Sequence, residues 1–335
     1  MTSRLPFLDR LAVPVIAAPM LRVSGIELVS AACRAGVVGA FPTANAESLE
    51  TFDAWMQRLV EEADAGRADG RPHAPWCPNL IMRRDPARVR AEVELIVRHR
   101  AEVVITSVGS PAAVIPALHD GGCIVLADVA SMHHARRAIE AGADGLVLLT
   151  AGAGGHTGWA NPLAFVREVR GFFDGPLVLA GGLSDGVALR AATVLGCDLG
   201  SMGTRFIASA ESLASEPYKQ MLATSSLDDV MTTRAFTGLP ANFLRPAVIR
   251  CGLDPDALDE GVSVQEARRR FGGGSEGATI QRWADLWSAG HSVSGVAGTR
   301  TVAEIVGEIE AEFSLSAKAT NLICRQSQPF GCSLK

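Results

Sequence analysis

A (β/α)8 TIM barrel with a helical lobe inserted after its eighth strand is the fold the sequence predicts, on three observations. Eight short apolar runs alternate with amphipathic stretches in one repeated beat. The runs are apolar throughout rather than alternating with polar residues, as strands buried on both faces are. No GxGxxG follows the first run, which counts against an open dinucleotide-binding sheet. With 335 residues, 48% hydrophobic and 20% charged, a large core is available and disorder is excluded as the dominant state. Aromatics at 5% argue against a sandwich of ring-rich strands.

The expected strands are residues 13–20, 37–43, 76–82, 103–108, 123–129, 145–150, 177–180 and 199–202. Helical patterns fill the intervals at 25–35, 46–65, 85–100, 111–119, 132–140, 162–173 and 185–195. Asp85-Pro86 and Asn161-Pro162 pair a capping side chain with a proline in the first turn. Gly36, Gly142 and Gly196 stand where helices close. After the eighth run the beat fails: 213–224, 263–271 and 278–287 read as helices among proline turns and the Gly272-Gly273-Gly274 run. The closing helix is expected at 301–313. The division is therefore a barrel over 1–210 and 289–315, a lid lobe over 211–288, and a frayed C-terminal tail over 316–335.

A net charge of −5 offers no broad basic face for nucleic acid or an anionic membrane. The seven cysteines are scattered without a CxxC or a Cys/His cluster. Reduced thiols in the cytoplasm and no metal site are expected. No apolar run has the length of a signal peptide or a membrane span. Composition leaves the oligomeric state open.

In such a barrel the loops after the strands carry the chemistry, and those after strands seven and eight often hold a phosphate. Ala180-Gly181-Gly182 follows the seventh run, and Met202-Gly203-Thr204 closes the eighth. Both let backbone N–H groups approach an anion, and Thr204 adds a hydroxyl. Two tight turns that merely need glycine are the bland alternative. After the sixth run lies Gly152-Ala153-Gly154-Gly155-His156-Thr157-Gly158. His156 is the histidine placed at the catalytic rim, able to take a proton or to stabilise an anion when charged. His99 and His119 read as solvated helix positions. Ala18-Pro19-Met20 after the first run leaves room for a flat ring, with Met20 over its face. Asn79, polar within the third run, needs a partner that a ligand or a neighbouring strand would supply.

These segments resemble the nitronate monooxygenases, formerly 2-nitropropane dioxygenases, from Pro14 to about Ile305. The markers are Ala18-Pro19-Met20, Asn79, Gly154-Gly155-His156-Thr157-Gly158, Ala180-Gly181-Gly182 and Met202-Gly203-Thr204-Arg205-Phe206, with Trp287-Ser288-Ala289-Gly290 as a weaker one. The resemblance implies a TIM barrel that binds FMN. It implies that Gly181, Gly182, Gly203 and Thr204 hold the phosphate, that Met20 and Asn79 contact the isoalloxazine, and that His156 faces its reactive side. Gly155, Ala180 and Met202 join the cofactor set, while Arg205 and Phe206 are structural. The implied reaction is oxidative denitrification of a small-molecule alkyl nitronate with O2, to a carbonyl compound and nitrite. Three positions depart from the pattern. Asp128 stands where many relatives carry Lys or another polar residue near the flavin, Gly152 where many have an acid, and His291 where many have Gln. An NAD(P)H-dependent reductase of quinones or enoyl thioesters shares the flavin residues. A flavin- or phosphate-ligand binder without turnover is the alternative from another class.

Overall fold

The computed structural model describes residues 5–68, 73–272 and 280–326. In chain order the strands are β1 (Val15–Ala17), β2 (Val38–Pro42), β3 (Trp76–Ile81), β4 (Val103–Ser107), β5 (Ile124–Val129), β6 (Gly145–Leu149), β7 (Gly155–His156), β8 (Leu177–Ala180), β9 (Leu199–Met202), β10 (Val230–Thr233) and β11 (Ala241–Leu244). Strands β1 to β6, β8 and β9 form a closed parallel barrel. Closure is made by β9 on β1, with Ile16 opposite Ser201. All eight expected runs are strands of this barrel. Their unbroken apolarity follows from two buried faces: Ile16, Val38, Val103 and Val178 pack in one cluster with Leu5 and Phe7, while Val15, Val104, Val125 and Leu146 pack with the helices.

The helices are α1 (Ile26–Arg34), α2 (Leu49–Ala68), α3 (Pro86–Arg98), α4 (Ile115–Asp120), α5 (Met132–Glu140), α6 (Pro162–Arg170), α7 (Gly186–Leu195), α8 (Thr204–Ile207), α9 (Glu216–Thr224), α10 (Arg245–Arg250), α11 (Val264–Phe271) and α12 (Val302–Gln326). The capping signals act as read: Asp85 accepts from Ala87 N at 3.2 Å and Asn161 from Leu163 N at 2.9 Å. Helix α12 is the last helix of the ring. Gly186 lets it approach α7 so closely that a Cβ there would lie 2.2 Å from Ile309 O, and Gly186 N donates to Glu312 Oε2 at 2.8 Å.

Several local expectations are corrected. The first strand ends at Ala17, so Ala18-Pro19-Met20 belongs to the loop beyond it. The lobe is not purely helical. Strands β10 and β11 pair antiparallel, and β7 joins β11 on its other side. The described part of 278–287 is turns rather than helix, because its apolar residues serve two separate packings: Trp283 stacks on Phe243 and Trp287 on Tyr218. Helix α12 runs past the expected end at 313 to Gln326. Gly273, Gly274, residues 278–279 and 327–335 lie outside the described residues. His99 is paired rather than solvated, its Nε2 lying 2.5 Å from Asp53.

Cys33, Cys77, Cys123 and Cys197 are buried and unbridged. Among the described residues no helix is long and apolar enough to cross a membrane, and no group of three or more His, Cys, Asp or Glu could hold a metal ion.

Candidate active site

A cavity of about 1290 Å3 lies at the C-terminal ends of the barrel strands, where parallel barrels place their chemistry. Every residue singled out as cofactor-binding or catalytic lines it. Ala18, Pro19, Met20 and Asn79 come from the first and third strand ends. Asp128, Gly155 and His156 come from the fifth and sixth. Ala180, Gly181, Gly182, Met202, Gly203 and Thr204 come from the seventh and eighth. Arg205 lies outside the lining; its guanidinium donates to Gly295 O and Glu308, each at 2.8 Å.

The two glycine turns are built differently. Gly181 and Gly182 have φ of 120° and 75°, in the region that favours glycine. A Cβ on Gly181 would lie 2.5 Å from Thr150 Oγ1 and 2.6 Å from Ala153 N, so this turn is packed against the Gly-rich loop. Around a Cβ on Gly182 there is open space. At the eighth strand, Gly203 approaches Met20 Sδ within 3.4 Å of its own Cβ position. Thr204 Oγ1 accepts from Gly290 N at 2.9 Å, which leaves its hydroxyl proton to donate. The N–H groups of Gly182 and Gly203 meet no acceptor among the described residues. Both residues line the same cavity, and donors without acceptors are what an anion cradle requires.

The first-strand loop is locked by residues that sequence reasoning passed over. Ser24 Oγ accepts from Met20 N at 3.0 Å and donates to Ala18 O at 3.1 Å. Asn45 Nδ2 donates to Met20 O and Ser24 O, both at 2.9 Å. Asn79 is buried, and its Oδ1 accepts from Ser107 Oγ at 2.9 Å. Its amide nitrogen has no partner among the described residues, and a buried amide needs one. Asp128 has neither a hydrogen bond nor an ion pair among the described residues. Burial alone pushes its carboxyl up to about 7.

The loop that carries His156 is a strand edge. Gly155 pairs with Asn242 and His156 with Ala241, and Thr157 N donates to Pro240 O at 3.2 Å. Asn242 Nδ2 reaches back to Ala151 O at 3.0 Å and Ala153 O at 2.7 Å, while its Oδ1 accepts from Thr232. The His156 ring meets Trp283 edge-on, centroids 5.7 Å apart, and Trp283 stacks on Phe243 at 5.1 Å. Burial, then the nearby Arg282 guanidinium, pulls the imidazole down to about 4. His156 is therefore neutral at pH 7, and among the described residues no hydrogen bond occupies its ring nitrogens.

Arg282 and Trp283 were missed as site residues, because 278–287 carries a helix-like apolar spacing. The run 237–242 reads in the sequence as a turn-rich rim segment, either a wall of the substrate pocket or a structural cap; Thr237, Leu239 and Pro240 of it line the cavity. Among the departures, Gly152 lines the cavity, and a Cβ there would lie 3.0 Å from Gly182 N. Glycine at this position keeps the cradle open. His291 is exposed and outside the lining; its N–H donates to Gly152 O at 3.0 Å.

The sequence profile described as "Nitronate monooxygenase" matches residues 4–311. A hydroxy-methyl-oxo-octahydroindene-carboxyl-CoA dehydrogenase of Mycobacterium tuberculosis is 28% identical over 254 residues, covering 74% of this chain and 68% of its own. A nitronate monooxygenase of Paraburkholderia phytofirmans is 26% identical over 348 residues, covering 90% and 93%. Among solved structures, FabK from Thermotoga maritima superposes with a TM-score of 0.79 at 25% identity, over 96% of this chain and 99% of its own.

Proposed function

The chain belongs to the nitronate monooxygenase family of oxidoreductase enzymes, and we propose that it is FMN-dependent and oxidises an alkyl nitronate, or its parent nitroalkane, with O2 to a carbonyl compound and nitrite. The observation that carries this reading is one cavity holding three things together: open N–H donors at the glycine turns, a half-satisfied Asn79 amide and a neutral His156 imidazole.

FMN, when bound, supplies the two-electron chemistry. Gly181, Gly182, Gly203 and Thr204 would hold its phosphate through backbone N–H groups and the Thr204 hydroxyl. Ala18 and Pro19 would set the space for the ring, Met20 would cover a face, and Asn79 Nδ2 would donate to a ring carbonyl. Ala180, Met202 and Gly155 complete the walls. A ring seated over Asp128 would keep its carboxyl protonated, a donor rather than a charge. The neutral His156 fits a base that accepts a proton at a ring nitrogen from a nitroalkane carbon, better than it fits a standing positive charge. Arg282 beside it supplies positive charge for the resulting anion.

The absorption spectrum of the pure protein, followed by anaerobic addition of a nitronate, tests this. A flavin band that bleaches with the nitronate is expected. A protein that stays colourless after reconstitution with FMN overturns the flavin reading.

A second reading, an NAD(P)H-dependent reductase of enoyl thioesters, is favoured by the cavity volume, which exceeds the usual range for a single small ligand. Anaerobic NADPH decides between them: rapid bleaching supports the reductase, and an unchanged spectrum disfavours it.

A further inference from the structure

Beyond the flavin site, the outer mouth of the cavity combines an exposed ring with unpaired cations. Trp159 is 84% exposed yet lines the cavity. The preceding glycine puts it there: a Cβ on Gly158 would lie 2.1 Å from Leu149 O and 3.4 Å from Ala130 O, so Trp159 emerges between the end of β6 and the β5–α5 turn. His133, His134 and Arg137 rise from that turn on α5, and Arg83 stands on the β3–α3 turn; all line the same mouth.

Neither Arg83 nor Arg137 has a carboxylate partner among the described residues. The neighbouring Arg84 and Arg88 both close on Glu92, each at 2.8 Å. Asp128 is the sole acid among the described lining residues, and it lies on β5. Free guanidiniums form bidentate pairs with phosphate, and an exposed indole offers a stacking face to a base.

We propose that this mouth is a subsite for an adenosine-phosphate moiety, with the purine stacked on Trp159 and the phosphates paired with Arg83 and Arg137. That moiety is carried both by nicotinamide dinucleotides and by coenzyme A thioesters. The subsite stands whether or not FMN occupies the inner cavity, because none of its residues belongs to the glycine turns.

ADP is the probe, titrated into the purified protein as isolated and followed by calorimetry and tryptophan fluorescence. Saturable binding is expected, at least about tenfold tighter than adenosine and weakening as salt rises. Trp159→Ala should loosen ADP about tenfold. The double variant R83A/R137A should loosen it by about as much and flatten the salt dependence. Flavin content, read by absorbance, should not move in either variant. Competition then identifies the source: whichever of coenzyme A and NADPH displaces ADP at lower concentration names the carrier, and either result supports the subsite. Three results overturn it: no saturable ADP binding, variants that bind ADP as the parent does, or ADP displaced by FMN. A fall in particle mass for Trp159→Ala with ADP binding intact also overturns it, assigning the indole to contact between copies of the chain.

Discussion

One wall of the cavity is made of backbone and another of side chains, and the two are assembled by different means. At the β8 and β9 ends, Gly182 and Gly203 have N–H groups without acceptors among the described residues, in turns whose positions follow from the barrel itself. The wall around His156 is assembled from the lobe. Strand β11 pairs with β7, Asn242 ties the Gly-rich loop down, and Trp283 meets the imidazole edge-on. A backbone wall tolerates few substitutions because it lacks side chains to adjust. A side-chain wall can lose one member and keep its shape while losing its chemistry.

The harshest way to break that contrast is on the backbone side. Gly181→Val places a branched side chain at φ of 120° against Thr150 Oγ1 and Ala153 N. It is expected to cost about 2–5 kcal/mol of stability and to yield protein without flavin, checked by urea unfolding and visible absorbance. On the other wall, His156→Asn should leave flavin and stability near normal while lowering turnover by about 10²–10⁴. Steady-state rates on nitroalkane and nitronate check it, and unchanged rates on both would remove His156 from the mechanism. Asn242→Ala should fall between structure and chemistry. Two carbonyls lose their donor, for about 1–3 kcal/mol, and turnover drops because the His156 strand loosens. An unchanged melting curve and rate would show that β7 holds without it.

In pH dependence His156 and Asp128 oppose each other. His156 is held near 4 in the fold, below its ordinary 6.5, so the unfolded chain binds the extra proton between those values. Its contribution to stability is lost as pH falls through that window. Asp128, raised to about 7 from an ordinary 3.8, binds its proton more tightly when folded. Its contribution is lost as pH rises toward 7. Asp128→Asn is therefore expected to be the more stable protein at pH 8, and His156→Asn to soften the decline between pH 6 and 4, both read from denaturation midpoints. Arg282→Gln removes the positive charge beside the imidazole, so the acidic limb of the kcat/KM profile should move upward, toward 6.5. A limb that stays in place would assign the depression of His156 to burial alone.

The difference between the walls is also a difference in legibility. Glycine turns announce themselves, because Gly181-Gly182 and Gly203-Thr204 follow apolar runs at a fixed place in the beat. The buried Asn79 stood out for the same local reason, a polar residue in an apolar run. The run 237–242 reads as a turn-rich rim, but nothing in it shows that Asn242 ties down the Gly-rich loop some ninety residues earlier. Trp283 sat in a spacing that reads as helix, yet its φ of 66° belongs to no helix; stacking on Phe243 and contact with His156 hold it there. Ser24 and Asn45, which lock the Met20 loop, look like ordinary capping residues until their partners are seen. Helix α12 ran past residue 313 because the weak periodicity beyond that point does not break a helix.

What the sequence by itself determined is the barrel and the place of its glycine turns, because alternation, apolar runs and glycine are properties of neighbours along the chain. What only the tertiary structure decided is the state of His156. Its neutrality depends on burial under the lobe and on Arg282, and its position depends on Asn242, whose bonds to Ala151 and Ala153 span 91 and 89 residues. A proton equilibrium responds to distance in space and to lost water, and neither is written in the order of residues.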